Sequence, residues 1–180
     1  MRRMGRVSQT KARSLDEFIT DVTHNQPLRV PGTAVFLNGA SDSAPSALVL
    51  HHEHNKTLHE KVILLHVKTK LVPHVEPEAR ATVEPHAHNF FSVRLDYGFM
   101  EHPDIPKALG NLPANGLKID ANDLTYYLGR QTIVPKDNNA GMALWREKLY
   151  SLLSRNATST TSYFCLPANR VVEMVTHVEI

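Results

Sequence analysis

Apolar positions along this chain change their spacing several times, and each change marks an element. Leu15, Phe18, Ile19 and Val22 fall at i, i+3, i+4 and i+7, which is one face of a helix. Ahead of them Ser14-Leu15-Asp16-Glu17 has the form of a capping box, in which the serine oxygen and the glutamate carboxylate satisfy amide donors at a helix start. The pattern stops before Pro27, because a proline pushes its predecessor away from helical geometry. Such a stripe needs a partner surface, on this domain or on another. Thr33 to Leu37 is a short apolar run between Pro31-Gly32 and Asn38-Gly39, the punctuation of a buried strand. Asp42 or Ser43 then caps a second helix with Pro45 in its first turn, running to about His59 with Leu48, His52, Asn55 and His59 on one side. Val62 to Val67 is apolar enough to be covered on both faces, as central parallel strands are. Strand, helix, strand makes a right-handed crossover.

Three prolines punctuate the stretch from Leu71 to Asn89, which predicts a loop carrying one edge strand, Arg80 to Glu84. Phe91, Val93, Leu95 and Tyr97 alternate with Ser92, Arg94 and Asp96, a half-buried strand whose polar face meets water or a partner. Pro103 to Gly110 predicts a short helix. Leu124 to Val134 predicts a strand in which Gly129 marks a bulge or a close backbone approach. Met142, Trp145, Leu149, Leu152 and Leu153 share one face of a helix over about 141 to 157, and alternation from Arg170 to Ile180 ends the chain in a strand. The order predicts an α/β fold, a three-layer sandwich on a mixed sheet with the later strands antiparallel at an edge.

Composition narrows the class. With 180 residues, 42% hydrophobic and 21% charged, the chain suits one globular core. Its single cysteine, Cys165, excludes an internal disulfide and a cysteine-based zinc cluster. No run approaches the roughly 20 apolar residues that cross a bilayer. Net charge is +2, yet Arg2, Arg3, Arg6, Lys11 and Arg13 all precede the first acid, Asp16. Residues 1–13 therefore form a basic leader, suited to nucleic acid, organelle targeting or anionic lipid, and 14–180 the folded domain. Elsewhere the basic residues are scattered, which argues against nucleic acid as a partner.

Candidate chemistry is sparse. His51, His52, His54, His59 and His66 crowd one stretch, but no HExxH occurs, and the His52-Glu53-His54 run is too tight for that motif's pairing, so no metal ligands are assigned. Cys165 sits among apolar neighbours, where a thiol is usually inert packing. Neither a G-x-S-x-G elbow nor a phosphate-cradling glycine loop is present, and no catalytic residue is assigned. Small polar residues from Asn38 to Ser43 lead into a helix and can hold an anion, though a turn with a cap is their commoner use.

The blocks RVPGTAVFL (29–37), HNKTLHEKVILLHV (54–67), YGFMEHPDIPKAL (97–109), YYLGRQTIVP (126–135), GMALWREKLYSLLSRNA (141–157) and PANRVVEMVTHVEI (167–180) occur in order. In them the chain resembles the cytosolic C-terminal domain of KUP potassium uptake permeases. His51, His52, Glu53 and His66 stand where other residue types are expected in relatives. The resemblance implies a regulatory and structural domain without enzymatic activity, at the cytoplasmic face of the bacterial inner membrane. Residues 1–13 would then be a juxtamembrane leader, and a membrane domain of the same permease, importing potassium with protons, would be the partner. It also implies a homodimer, formed through an edge strand or the Ser14 to Thr23 helix. The order of elements is similar to the universal stress protein fold, so an adenine nucleotide or cyclic di-AMP is the expected effector, held at the carboxyl ends of strands near a switch point. Asn38, Ser41, Lys68, Tyr97, Phe99 and Arg130 are the candidate ligand-binding residues, with Tyr97 and Phe99 stacking a base and Lys68 or Arg130 pairing with phosphate. Against that stands the reading of Tyr97 and Phe99 as core and of the basic residues as solvated. A stand-alone nucleotide-binding protein is the alternative function.

Overall fold

The computed structural model describes residues 14–39, 43–112, 117, 119–120, 123–134 and 160–179. Ser14 caps α1 (Leu15–Asn25), its side chain accepting the Glu17 amide at 3.3 Å, so the capping serine is where the sequence puts it. β1 (Leu28–Asn38), α2 (Ser46–Asn55) and β2 (Thr57–Lys70) follow. β3 (Ala81–Pro85) and β4 (Phe90–Gly98) come next, then α3 (Ile105–Gly110), capped by the Asp104 side chain. β5 (Leu124–Val134), a one-turn helix α4 (Thr160–Tyr163) and β6 (Val171–Glu179) follow, with short 3-10 turns among the connections.

Among the described residues six strands form one mixed sheet in the order β3-β4-β2-β1-β5-β6. β1 pairs in parallel with β2 and β5, β2 with β4, and β5 with β6, while β3 alone runs antiparallel, against β4. Leu15, Phe18, Ile19 and Val22 of α1 and Ala47 and Leu48 of α2 pack on Phe36, Val62, Leu64 and Tyr127, one face of the sheet. Ile63, Leu65, Leu95 and Tyr126 bury the other face against Ile105, Leu109 and Leu166. The strand order reverses direction between β1 and β5, which makes that boundary the switch point of the sheet.

Three expectations change, and one open alternative is decided. The antiparallel strand is early rather than late: only a few residues join β3 to β4, too few for a crossover, whereas the long connection from β5 to β6 lets that pair run parallel. Pro31-Gly32 does not bound β1 but sits inside it as a bulge, where pairing with β2 slips between Val30 and Thr33 and Gly32 takes a φ of +106°. α2 stops at Asn55, not at His59, because Lys56 adopts the left-handed conformation and donates its amide to the His52 carbonyl; His59 is a strand residue. Finally, the apolar stripe of α1 is consumed by this domain's own sheet, so that face is not free to join a second copy. The leader and the helix expected over 141–157 lie outside the described residues.

Candidate functional site

Where α1 leaves the sheet uncovered, a cleft of about 390 Å³ opens toward β3, lined by Leu64 and His66 of β2, Ser92 and Arg94 of β4, and Thr82 and Glu84 of β3. Strand alternation puts each of these pairs on one face, and register aligns them across strands. Asn38 pairs with His66, His66 with Arg94, and Arg94 with Thr82, so a row of polar side-chain positions crosses four strands. One step along, Lys68 pairs with Asp96.

The row is internally braced. His66 Nδ1 lies 3.1 Å from the Asn38 backbone carbonyl, which accepts only, so Nδ1 is the donor in that contact. Asn38 Nδ2 donates to the Ser43 carbonyl at 2.6 Å, tying the end of β1 to the approach to α2. An Arg94 guanidinium nitrogen is 3.4 Å from Thr82 Oγ1, and His86 Nε2 is 2.8 Å from Ser92 Oγ. Asp96 is 3% exposed, with Lys70 Nζ at 2.8 Å and Arg94 Nε at 3.7 Å. Two cations stand around one buried carboxylate, and the cleft beside them is lined by Arg94, by the imidazoles of His66 and His86 and by the carboxylates of Asp16 and Glu84. Such a mixed surface suits a polar ligand, with Arg94 the group that can take an anionic part of it.

The candidate residues named from sequence divide among several places. Asn38 lines the cleft, and Lys68 is exposed two residues beyond His66 on the same face of β2. Ser41 lies outside the described residues. Tyr97 is buried on the opposite face, its hydroxyl donating to the Asp104 carbonyl at 3.4 Å and its ring covered by the Arg80 guanidinium at 5.0 Å; burial pushes its phenol up. Phe99 projects past the end of β4, and Arg130 is exposed on β5, beyond the switch point. Sequence reading did not name His66, Arg94, Thr82, Glu84, His86 or Ser92 as site residues. Its available signal was the polar alternation of β4, which showed that a face was open but not what lay across from it.

Of the crowded histidines, His51, His52 and His59 pack against aromatic rings, His54 is exposed on α2, and His66 lines the cleft. His51, buried on α2, meets His59 at 5.8 Å and Tyr127 at 5.1 Å between ring centroids, and Tyr127 stacks on Phe36 at 4.7 Å. Burial holds both imidazoles below their usual range, for His51 with neighbouring imidazoles adding to the effect. Among the described residues no group of three or more His, Cys, Asp or Glu is placed to hold a metal ion. No helix among them is long and apolar enough to cross a membrane.

Fold and cleft define an α/β domain with a braced polar face. The family model described as K+ potassium transporter C-terminal domain matches residues 31–180, and the chain belongs to that family. It is 48% identical to a probable potassium transport system protein Kup of Azoarcus sp. (strain BH72), over 92% of this chain and 26% of that protein. Identity is 41% to a probable Kup 1 of Geobacter sulfurreducens, over 94% of this chain and 27% of that protein. To a Pseudomonas aeruginosa Kup it is 45%, over 92% and 26%. The chain thus spans about a quarter of the length of the curated relatives it matches. No solved structure matches it.

Proposed function

We propose that this chain is the cytoplasmic regulatory domain of a potassium uptake permease, acting on a membrane domain and performing no chemistry of its own. The carrying observation is the extent of the match: more than nine-tenths of this chain aligns with about a quarter of each of two Kup potassium transport proteins. The proposed effector is an adenine nucleotide or cyclic di-AMP. Support for it comes from the cleft, where Arg94 stands in the row with Asn38 and His66 and Lys68 lies one register step outside it, cations and acceptors being what a nucleotide's phosphate and base edge require. Regulation follows if the effector binds two arrangements of domain and permease unequally, a tenfold preference corresponding to about 1.4 kcal/mol.

Thermal unfolding with AMP, ATP and cyclic di-AMP at millimolar excess tests the effector. A micromolar site stabilises by about 4 kcal/mol at a thousandfold excess, roughly a 10 °C rise in Tm for a domain of this size. Arg94→Ala is expected to abolish the shift, and no response to any of the three would remove the effector. For the regulatory role, potassium uptake by a Kup permease carrying this domain should change when Arg94 is replaced.

A further inference from the structure

β2 and β4 are parallel neighbours, so the turns that follow them leave the sheet at the same edge. There the two turns are joined, the Phe99 amide donating to the Val72 carbonyl at 2.9 Å and the Met100 amide to the Pro73 carbonyl at 3.2 Å. Glu101 is turned inward, accepting the amides of Gly98 at 2.6 Å and Val75 at 3.0 Å and pairing with Arg80. The tip is therefore held in shape with its apolar side chains outward: Leu71 is 98% exposed, Met100 67%, Phe99 59% and Val72 43%. A rigid cluster of exposed large apolar groups marks a contact surface.

Three observations choose the occupant. Four side chains on two turns are far fewer than the roughly 20–30 residues a side of a stable protein interface, whereas a bilayer interface accepts apolar side chains without a matching shape. Charge agrees, since the exposed Lys68 stands near the end of β2 behind the tip, and Arg2, Arg3, Arg6, Lys11 and Arg13 precede Ser14 with no acid among them. Position agrees too. Ser14 is bridged to Ser43, just past the carboxyl end of β1, so the chain enters the domain at the same sheet edge that carries the tip.

We propose that Leu71, Val72, Phe99 and Met100 insert into the headgroup region of an anionic lipid bilayer, with Lys68 among the phosphates, seating this domain against the membrane. The exposed Glu76 and Glu78 on the turn that follows stay in water, which confines the contact to the tip. The proposal rests on the reading of the chain as a domain of a membrane permease. Its test reads lipid contact alone, so it succeeds or fails separately from effector binding and from uptake.

The test uses the 180-residue chain with Cys165→Ser and Leu71→Cys, the new thiol carrying an environment-sensitive fluorophore. Vesicles are phosphatidylcholine alone or phosphatidylcholine with phosphatidylglycerol. Emission is expected to shift to the blue on the anionic vesicles, and a Leu71→Ser, Phe99→Ser chain to partition onto them about tenfold less, with its unfolding midpoint unchanged. A label that stays in water on vesicles carrying the chain would overturn the proposal, because the basic leader alone would then account for binding. So would equal partitioning of the double variant. Self-association that the double variant loses, without any vesicle shift, would assign the tip to a second copy and likewise overturn it.

Discussion

Gly98 and Gly129 show how differently one residue type is constrained. At Gly98 a Cβ would run into the Pro73 carbonyl and come within 2.6 Å of the His74 amide nitrogen. Those are backbone atoms, and Pro73 is held by the Met100 amide, so nothing nearby can yield. At Gly129 a Cβ would meet Ser46 Oγ at 2.7 Å and then nothing closer than the Ala47 amide nitrogen at 3.5 Å; the hydroxyl can turn to another rotamer. Gly98→Ala is accordingly expected to destabilise by about 2–3 kcal/mol and Gly129→Ala by less than about 1 kcal/mol, read from urea midpoints at unchanged m-value. The close approach at Gly129 was legible, because a glycine interrupting an apolar strand has few other uses. That at Gly98 was not, since a glycine ending a strand looks like ordinary punctuation until the turn after β2 is seen against it. Residue type likewise announced the cap at Ser14 but not the left-handed Lys56, a position where glycine or asparagine is the usual sign.

At the scale of elements, the junction of α2 with β2 and β5 brings two histidines into the core. His51 and His59 face each other beside Tyr127, and burial favours their neutral forms, so their folded pKa values lie below the unfolded value of 6.5. Above that value neither state binds the protons and this contribution is fully present. As pH falls below it the unfolded chain takes up protons first, so stability drops until the folded pKa values are passed. Urea midpoints should thus be flat above about pH 6.5 and decline toward pH 5, and His51→Leu should flatten part of that decline. An unchanged slope in the variant would mean that other groups carry the acid sensitivity. The histidine cluster was visible in sequence, but whether it faced solvent, a metal or Tyr127 depended on the helix ending at Asn55 and not at His59. Local propensity did not decide that ending. Pairing of Thr57 to His59 with Leu28 to Val30 in β1 did.

For the whole molecule, the two ends of the sheet are unlike. β3 is five residues long and closes on Pro85, features that blunt an edge. β6 is longer and exposes Val172 and Val175. With the α1 face occupied, the homodimer expected from sequence is left to an edge strand, and β6 is the better suited of the two among the described residues. If so, sedimentation velocity should show concentration-dependent dimers of the parent chain, and Val175→Lys should hold it monomeric over the same range. A dimer that survives the substitution would move the contact elsewhere.

Sequence by itself determined the α/β class, the kinds and approximate places of the described elements, the core face of α1 and the family, because these rest on periodicity, capping chemistry and ordered blocks of residues that neighbours along the chain supply. Only the tertiary structure decided which strand runs antiparallel, where α2 hands over to β2, that the row Asn38, His66, Arg94 and Thr82 forms at all, and that Leu71 and Phe99 share one exposed tip. Each of those depends on strand register. Register is settled by side chains far apart in sequence competing for the same sheet face, and a slip of one residue in any of the four strands would turn that strand's member of the row to the other side.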